Sequence, residues 1–392
     1  MDGNANIVDV ATMFEAIIIG AGQAGLAAAH ELTRRGLVPG RDFLVLDSNE
    51  GPGGAWRHRW DSLTLGRAHG IADLPGLTLD RPEGSVPAST VVAGYYGSYE
   101  EKFSLKVVRP VRVTRVEPTD PQDRTSPLRV SSEDGRSWLT RIVLNATGTW
   151  TNPYVPFIPG IGSFTGRQLH TANYRRARDL SGQRVLVVGG GLSAVQFLLE
   201  LEGTAETTWA TRRPPNFTEG QFDGGWGLAV ERAVRERTFS GRQPASVVRT
   251  TGIPMIEPYM DGVARGILVS RGMFDRITPD GVIFGTPAPP RAQGLGPSDA
   301  TRLAVPESWR PFPAGTELKA DTIFWNTGFR AALRHLAPMR LRRGRGIPLV
   351  DEVTPAVDPR VLLVGYGSTA STIGATRAGR LAGRTAVKLL RR

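Results

Sequence analysis

Short apolar runs that end in glycine-rich turns recur along the chain. They occupy 16–19, 185–188 and 361–364, and residues that favour a helix follow the first two turns directly. A short apolar run bounded by turn residues is typical of a strand that is buried on both faces of a parallel sheet. The pattern therefore predicts an α/β fold in which parallel strands alternate with helices.

Between 107 and 143 the apolar residues alternate with polar ones instead. This period of two predicts strands at 107–116, 128–132 and 138–143, the last two joined by a turn at 133–135. The meander leads to a small-residue turn, Ala146-Thr147-Gly148. We expect the chain to leave its first domain soon after this turn.

The first glycine turn has the spacing of a dinucleotide-binding loop. Gly20 allows the tight turn, Gly22 lets the backbone approach a pyrophosphate, and Gly25 lets helix and strand pack closely. The next apolar run ends in Asp47, whose carboxylate can accept hydrogen bonds from ribose hydroxyls. A first nucleotide site is predicted here, and its further contacts are Gln23, Ala24 and Ser48.

A second turn of this kind follows the apolar run at 185–188. Its predicted contacts are Gly189, Gly191, Leu192, Ser193 and Ala194. The next strand ends near Arg212 and Arg213 and has no carboxylate at that position. An arginine pair suits the 2′-phosphate of NADPH, which a carboxylate would repel. Two surface arginines in an arginine-rich chain are the alternative, and we interpret the pair as a preference for NADPH over NADH.

Two glycines precede a tryptophan in the segment 51–63. A loop of this composition can pass close under a flat ring system while indoles pack beside it. Isolated tryptophans more often belong to a core, but their position after a dinucleotide turn favours contact with a flavin ring. The predicted contacts in this loop are Gly54, Ala55, Trp56 and Trp60.

A proline- and glycine-rich linker at 151–160 marks the expected end of the first domain. The predicted division is 1–155, an inserted domain at 156–318, and a return to the first domain at 319–392. A strand at 318–326 is expected to lead this return. Much of 214–313 is interrupted by proline and glycine, although a helix is predicted at 227–234.

Composition narrows the class of protein. The net charge of +11 comes mostly from scattered arginines, and no basic run alternates with aromatics, so nucleic-acid binding is not expected. The chain has no cysteine, which excludes disulfides and dithiol redox pairs, and no metal site is predicted. The first residues do not resemble a signal peptide, and no apolar run reaches about 18 residues. We therefore expect a soluble cytoplasmic protein without a membrane span.

The two turns bracket a further pattern, Phe164-x-Gly166-x-x-x-His170-x-x-x-Tyr174. Together with the Gly-Ala-Trp segment, two Thr-Gly turns and a Gly-Tyr-Gly turn near the end, it resembles the flavin-containing monooxygenases, a family of class B flavoprotein monooxygenases. The length suggests their short bacterial members. The resemblance spans nearly the whole chain, and it rests on the combination of motifs, since no single motif is specific.

The resemblance implies two Rossmann-like domains, an FAD domain interrupted by an NADPH domain. It implies that hydride passes from NADPH to FAD, that O2 forms a C4a-hydroperoxyflavin, and that a soft nucleophile, a sulfide or an amine, takes the distal oxygen. The candidate catalytic residues are His170, Tyr174 and Gly66, and the resemblance implies that His170 and Tyr174 organise the NADPH site rather than act as acid or base. The implied cofactor contacts also include Val113, Thr147, Gly148, Thr327, Gly328 and Gly365. A small-molecule substrate and O2 are the expected partners, and a homodimer is left open.

Gly66 is a departure from the family pattern. Many relatives carry an asparagine near the flavin in this region, where it helps to preserve the hydroperoxide. An NADPH-flavin reductase or oxidase that releases hydrogen peroxide is therefore an alternative function. A Baeyer–Villiger oxygenase of ketones is a second alternative, which Tyr174 opposes because those enzymes have tryptophan there. A non-catalytic nucleotide sensor is a third, which the retention of both glycine turns opposes.

Overall fold

The computed structural model describes residues 13–68, 71–81, 83–218, 235–242, 244, 252–287, 303–370 and 372–391. Within these ranges the chain forms five α-helices and fifteen β-strands, which confirms the predicted α/β class. The helices are α1 (Gln23–Arg34), α2 (Ala88–Lys102), α3 (Leu192–Glu200), α4 (Glu257–Ala264) and α5 (Thr372–Leu390). The helix predicted at 227–234 lies outside the described residues.

The first sheet has six strands and a parallel centre. Its strands are β1 (Met13–Ile19), β2 (Phe43–Leu46), β3 (Val113–Pro118), β4 (Leu128–Ser132), β5 (Ser137–Asn145) and β15 (Val361–Leu363). β5 pairs with β1 along its length, with antiparallel β4 through its first half and with parallel β15 through its second. The predicted meander is present, but its first strand begins at Val113 and not at 107.

The carboxyl ends of the parallel strands meet at one edge of this sheet. Ile19 lies opposite both Leu46 in β2 and Asn145 in β5. Leu363 at the end of β15 also lies opposite Asn145. Open α/β sheets bind their ligands outside this edge, so the register places a candidate site there.

The second sheet has four strands, all parallel. In spatial order they are β6 (Arg167–His170), β14 (Thr322–Trp325), β7 (Arg184–Val188) and β8 (Glu206–Ala210). The expectation that the strand near 318–326 returns the chain to the first domain is wrong. β14 is buried at the centre of the second sheet, where Trp325 lies opposite both His170 and Val188.

Two smaller sheets accompany the second one. β9 (Phe217–Thr218) pairs with β10 (Ile253–Pro254), and β11 (Phe274–Thr278), β12 (Gly281–Phe284) and β13 (Glu317–Lys319) form an antiparallel sheet. Most of this region has no element that the sequence predicts. Among the described residues, no helix combines the length and the apolar character that crossing a membrane requires.

Helices α1 and α5 pack against each other through small residues. A Cβ on Gly379 would lie 2.4 Å from the carbonyl oxygen of Ala24, and one on Gly383 would lie 2.8 Å from Cβ of Glu31. Gln23, at the start of α1, donates a 2.8 Å hydrogen bond to Oγ1 of Thr376 in α5. This close contact brings the first turns of both helices to the same edge of the first sheet.

Candidate functional site

A cleft opens at the carboxyl edge of the first sheet. It contains about 1400 Å³ of empty space, counting the part that is open to solvent. The predicted contacts that line it are Gly20, Gly22, Gln23, Ala24, Asp47, Ser48, Gly54, Ala55, Trp56, Val113, Thr147, Gly148 and Gly365. The fold therefore brings together residues that the sequence distributes from the first strand to the last.

The glycines of the first turn make the close approaches that their spacing predicts. Gly20 has φ +103°, and a Cβ there would lie 2.5 Å from the carbonyl oxygen of Ala146. A Cβ on Gly25 would lie 1.8 Å from the carbonyl oxygen of Gly20. Gly22 precedes α1 and provides no side-chain cap, so the first N–H groups of the helix face the cleft without a side-chain partner from that position. This end of α1 fits a diphosphate.

Asp47 is held in place by a chain of polar contacts. Its carboxylate accepts hydrogen bonds from Nδ2 of Asn49 at 3.1 Å and from Nε of Arg109 at 3.2 Å. Arg109 in turn makes two 2.6 Å bonds to the carboxylate of Glu100. Asp47 is buried but lines the cleft, and its orientation is fixed by these contacts with the protein.

The loop before Trp56 passes directly over the first turn. Gly54 has φ +53°, and a Cβ there would lie 2.8 Å from Cα of Gly22. Trp56 lines the cleft, as predicted for a flavin contact. Trp60 does not line the cleft; it is 4% exposed, and its ring centroid lies 4.6 Å from that of Phe197. We therefore reassign Trp60 from flavin contact to packing against α3.

A polar cluster in the cleft was missed by the sequence analysis. His335 is buried and contacts Oδ1 of Asn145 through Nε2 at 2.6 Å, while Nδ2 of Asn145 donates to Oγ1 of Thr147 at 3.1 Å. Burial lowers the pKa of His335 to about 4, so its imidazole is neutral at physiological pH. No local motif marks His335, because it is 190 positions from Asn145.

The second glycine turn has the same structural features as the first. Gly189 has φ +139°, and a Cβ there would lie 2.2 Å from the carbonyl oxygen of Asn326. Gly191 precedes α3 without a side-chain cap, Leu192 and Ser193 begin the helix, and Ala194 is fully buried. The N-terminal end of α3 therefore also fits a diphosphate.

The residues after β8 are positioned by a buried hydroxyl. Thr211 contacts the hydroxyl of Ser270 at 2.7 Å and donates to the carbonyl oxygen of Arg213 at 2.5 Å. Arg212 is exposed and Arg213 is partly exposed. Both arginines thus follow directly from the strand end at which an adenosine ribose binds in this type of fold.

His170 joins the end of β6 to the turn after β14. Its Nδ1 accepts a 3.1 Å hydrogen bond from the backbone N–H of Ala172, so we assign the proton to Nε2, which donates to the carbonyl oxygen of Gly328 at 3.1 Å. Burial lowers the pKa of His170, whereas its hydrogen bonds with the backbone at Gly328 and Tyr154 oppose this. A neutral imidazole that is hydrogen-bonded through both ring nitrogens can hold the turn at Gly328 in place.

Tyr174 is enclosed by aromatic rings. Its centroid lies 4.4 Å from that of Phe197 and 5.4 Å from that of Phe324, and its hydroxyl donates to Oε1 of Glu200 at 2.6 Å. Burial, and then the hydrogen bond to Glu200, raise the pKa of Tyr174 far above its ordinary value. Tyr174 is a predicted catalytic residue, and these contacts assign it a packing and positioning role.

Three further predicted residues lie away from the cleft lining. Oγ1 of Thr327 donates to the carbonyl oxygen of Tyr154, and Gly328 has φ +79°. Gly66 is exposed, in a helical turn at Leu65–Arg67, and its N–H donates to the carbonyl oxygen of Gly84 at 3.0 Å. Thr327 and Gly328 belong to the turn that His170 holds, and Gly66 to the loop that follows Trp60.

The chain is similar to a known protein family and to solved structures. A family model described as pyridine nucleotide-disulphide oxidoreductase matches residues 17–223, just over half of the chain. The structure of the flavin-containing monooxygenase from Stenotrophomonas maltophilia superimposes with a TM-score of 0.72 at 34% identity, covering 96% of this chain and 99% of that chain.

Two curated relatives match different shares of the chain. The uncharacterized oxidoreductase CzcO of Bacillus velezensis is 28% identical over 52% of this chain and 56% of its own length. A Baeyer-Villiger monooxygenase of Streptomyces coelicolor is 26% identical over 92% of this chain and 70% of its own length. The chain spans about half the length of the first curated relatives that it matches.

The residues that match the family model include several segments that line the cleft. The matched residues include both glycine turns and the Gly-Ala-Trp loop. Because the chain has no cysteine, it does not carry out the dithiol chemistry in the name of the family model. The chain belongs to the pyridine nucleotide-disulphide oxidoreductase family and, within it, to the flavin-containing monooxygenases, so it is a flavoprotein oxidoreductase.

Proposed function

We propose that this chain is an NADPH- and O2-dependent monooxygenase that transfers one oxygen atom to a sulfide or an amine. NADPH, a proton, O2 and a sulfide would give NADP⁺, water and a sulfoxide, so that atoms and electrons balance. The observation that carries the proposal is the pair of glycine turns, each ahead of an uncapped helix at the carboxyl edge of its own parallel sheet.

Each sheet would be the frame of one nucleotide-binding domain. The first sheet contains β1–β5 and β15, so the FAD domain would be formed by two separate parts of the chain. The second sheet takes its four strands from the residues between these parts. Because β14 belongs to the second sheet, the inserted domain would extend to Trp325 and not end at 318.

FAD would occupy the cleft of the first sheet. The N-terminal end of α1 would hold its diphosphate, Asp47 its adenosine ribose, and the Gly54–Trp56 loop the edge of its ring system. The flavin would supply the hydride and oxygen chemistry, and the protein would orient it and exclude water. The absence of any side chain at Gly22 and Gly54 is what leaves room for this approach.

NADPH would bind at the N-terminal end of α3. Arg212 and Arg213 follow β8, and we assign the 2′-phosphate to their guanidinium groups, which can form two parallel hydrogen bonds to a phosphate. His170 would act by holding the Thr327–Gly328 turn beside this site, since both of its ring nitrogens are already bonded to the backbone. We do not assign proton transfer to His170 or Tyr174.

The decisive experiment measures the products that form from NADPH. Purified protein loaded with FAD is mixed with NADPH, air-saturated buffer and thioanisole, and NADPH consumed, sulfoxide formed and hydrogen peroxide released are quantified. A sulfoxide yield close to the NADPH consumed is expected. Hydrogen peroxide equal to the NADPH consumed, with no sulfoxide, would overturn the proposal. Protein from which FAD has been removed is the control.

The same assay separates the two alternative functions. Ketone oxygenation is favoured by the match with the Streptomyces coelicolor enzyme over 92% of this chain, and it would give a lactone when cyclohexanone replaces thioanisole. An oxidase, the alternative suggested by Gly66, loses support from the structure, because Gly66 is exposed and does not line the cleft. An oxidase would give peroxide with every substrate.

A further inference from the structure

Arg59 is an arginine surrounded by tryptophans. Its Cζ lies 4.2 Å from the ring centroid of Trp150, 5.7 Å from that of Trp56 and 5.8 Å from that of Trp60. Trp150 is in turn stacked on Phe329, with centroids 4.9 Å apart. Trp56 and Trp150 both line the cleft, so the guanidinium lies against two of the indoles that form its wall.

Among the described residues, no carboxylate pairs with the guanidinium of Arg59. Nε of Arg59 is buried and has no hydrogen-bond partner within the described part of the chain. Burial lowers the pKa of Arg59 to about 10, with no contribution from a neighbouring acid, so the guanidinium is still a cation at neutral pH. An unpaired buried charge is unfavourable, which makes the guanidinium a strong site for an anion that enters the cleft.

Among the described residues, the charged side chains on adjoining elements do not compensate the charge of Arg59. Arg57 donates to the carbonyl oxygen of Pro52, and Arg175 donates to that of His58, so both are cations that add to the positive potential. Glu200 accepts hydrogen bonds from Ser62 and Tyr174 instead. The surroundings of Arg59 therefore favour an anionic ligand.

The geometry points to Arg59 as the residue that binds the carboxylate of the substrate. The two Nη groups of a guanidinium form a planar fork that matches the two oxygens of a carboxylate. The indoles of Trp56 and Trp150 offer flat apolar surfaces to the rest of the same molecule. Substrates of this enzyme are thus sulfides or amines that combine a carboxylate with an apolar or aromatic group, an inference that rests on the proposed function.

The coenzymes supply the other anions that enter this protein. Their diphosphates are accounted for by the helix ends at Gly22 and Gly191, and the 2′-phosphate by Arg212 and Arg213. The residues that would bind these phosphates lie on the glycine turns and after β8. Arg59 lies elsewhere, in the loop between Trp56 and Trp60. No phosphate is therefore needed at Arg59, and the carboxylate of the substrate is the anion that we assign to it.

The test compares two thioethers that differ in charge alone. Phenylthioacetate, PhS–CH2–COO⁻, carries a carboxylate. Its methyl ester has the same ring and the same thioether sulfur but no negative charge. Binding of each to FAD-loaded protein without NADPH is measured by calorimetry, and kcat/KM for each is measured by NADPH consumption. The variants are Arg59→Gln and Arg59→Lys. Arg41→Gln is the control, because Arg41 is exposed, pairs with Asp42 and precedes β2 at the opposite edge of the sheet.

The wild type is expected to bind phenylthioacetate more tightly than the ester, and Arg59→Gln to weaken the acid by ~10- to 100-fold while changing the ester less than ~3-fold. Arg59→Lys should retain part of the preference, because it keeps the charge but loses the fork. FAD content and melting temperature show that each variant is folded. Arg41→Gln should match the wild type.

Two results would overturn the inference. One is a wild type that binds acid and ester equally well. The other is an Arg59→Gln variant in which NADP⁺ affinity falls by a similar factor while the ratio of acid to ester is unchanged, which would assign the anion to the coenzyme. Because binding is measured without turnover, a protein that oxygenates neither thioether would contradict the proposed function and still give an answer on Arg59.

Discussion

The hydroxyl of Tyr174 donates a 2.6 Å hydrogen bond to Oε1 of Glu200, the last residue of α3. Ser62, in the loop that follows Trp60, donates to the same oxygen at 2.6 Å. Glu200 thereby ties the loop that follows Trp60 to helix α3 beside the second sheet. The tyrosine that closes the family pattern is an anchor between the two parts of the molecule.

This shared acceptor predicts coupling between Tyr174 and Ser62. Tyr174→Phe and Ser62→Ala should each lower the free energy of unfolding by about 1 kcal/mol, and the double variant should lose more than the sum, because the carboxylate then has neither donor. Urea denaturation of the four proteins measures this. Strict additivity would show that the two hydroxyls act independently. The pH dependence of turnover should not change in Tyr174→Phe.

Residues within one motif were predictable from the sequence, and contacts between distant motifs were not. The spacing of Gly20, Gly22 and Gly25 predicts their close approaches because the turn and its helix are local. The sequence predicts β14 in the first domain, because a short apolar strand fits the parallel sheet of either domain. Only its pairing with β6 and β7 shows that it belongs to the second sheet. Trp56 and Trp60 belong to one loop, yet only the fold shows that one faces the cleft and the other α3.

Gly22→Ala tests whether the first turn holds a diphosphate. A Cβ there would have only Cα of Gly54 within 4 Å, at 3.9 Å, so the protein without cofactor should fold with an unchanged melting temperature. FAD binding should weaken by ~10-fold or more, because the methyl group occupies the space for the phosphates. The contrast is Gly25→Ala, whose Cβ would lie 1.8 Å from the backbone and should prevent folding. Full FAD retention in folded Gly22→Ala would argue against a diphosphate at this turn.

Asp47→Asn tests the ribose contact. The amide keeps the shape and can still accept from Arg109, but it loses the charge that strengthens hydrogen bonds from two ribose hydroxyls. FAD should dissociate ~10-fold more readily, as measured by flavin fluorescence on dilution. Asp42→Asn, a surface change next to Arg41, is the control and should retain FAD. An Asp47→Asn protein that purifies with full FAD occupancy would contradict the contact.

The double variant Arg212→Ala and Arg213→Ala tests the coenzyme preference. The KM for NADPH should rise ~10- to 100-fold, because the 2′-phosphate loses its charged partners, while the KM for NADH changes little. Steady-state assays with both coenzymes give the ratio. Replacing two distant exposed arginines, Arg41 and Arg265, controls for the loss of two positive charges. Equal changes for NADPH and NADH would remove the 2′-phosphate from this position.

His335 predicts a pH-dependent loss of stability. Burial lowers its pKa from the ordinary 6.5 to about 4, so between these values the unfolded chain binds a proton that the folded chain does not. Stability is therefore fully present above pH 6.5 and falls as the pH is lowered towards 4, by at most ~3 kcal/mol. His335→Gln can still donate to Asn145 but does not titrate, so the wild-type advantage should shrink on acidification. Tyr95→Phe, which changes no group that titrates in this range, should keep a constant offset from the wild type. Unfolding in urea at pH 7 and pH 4.5 measures both differences, and an offset for His335→Gln that is the same at the two pH values would show that the imidazole is not held neutral beside Asn145.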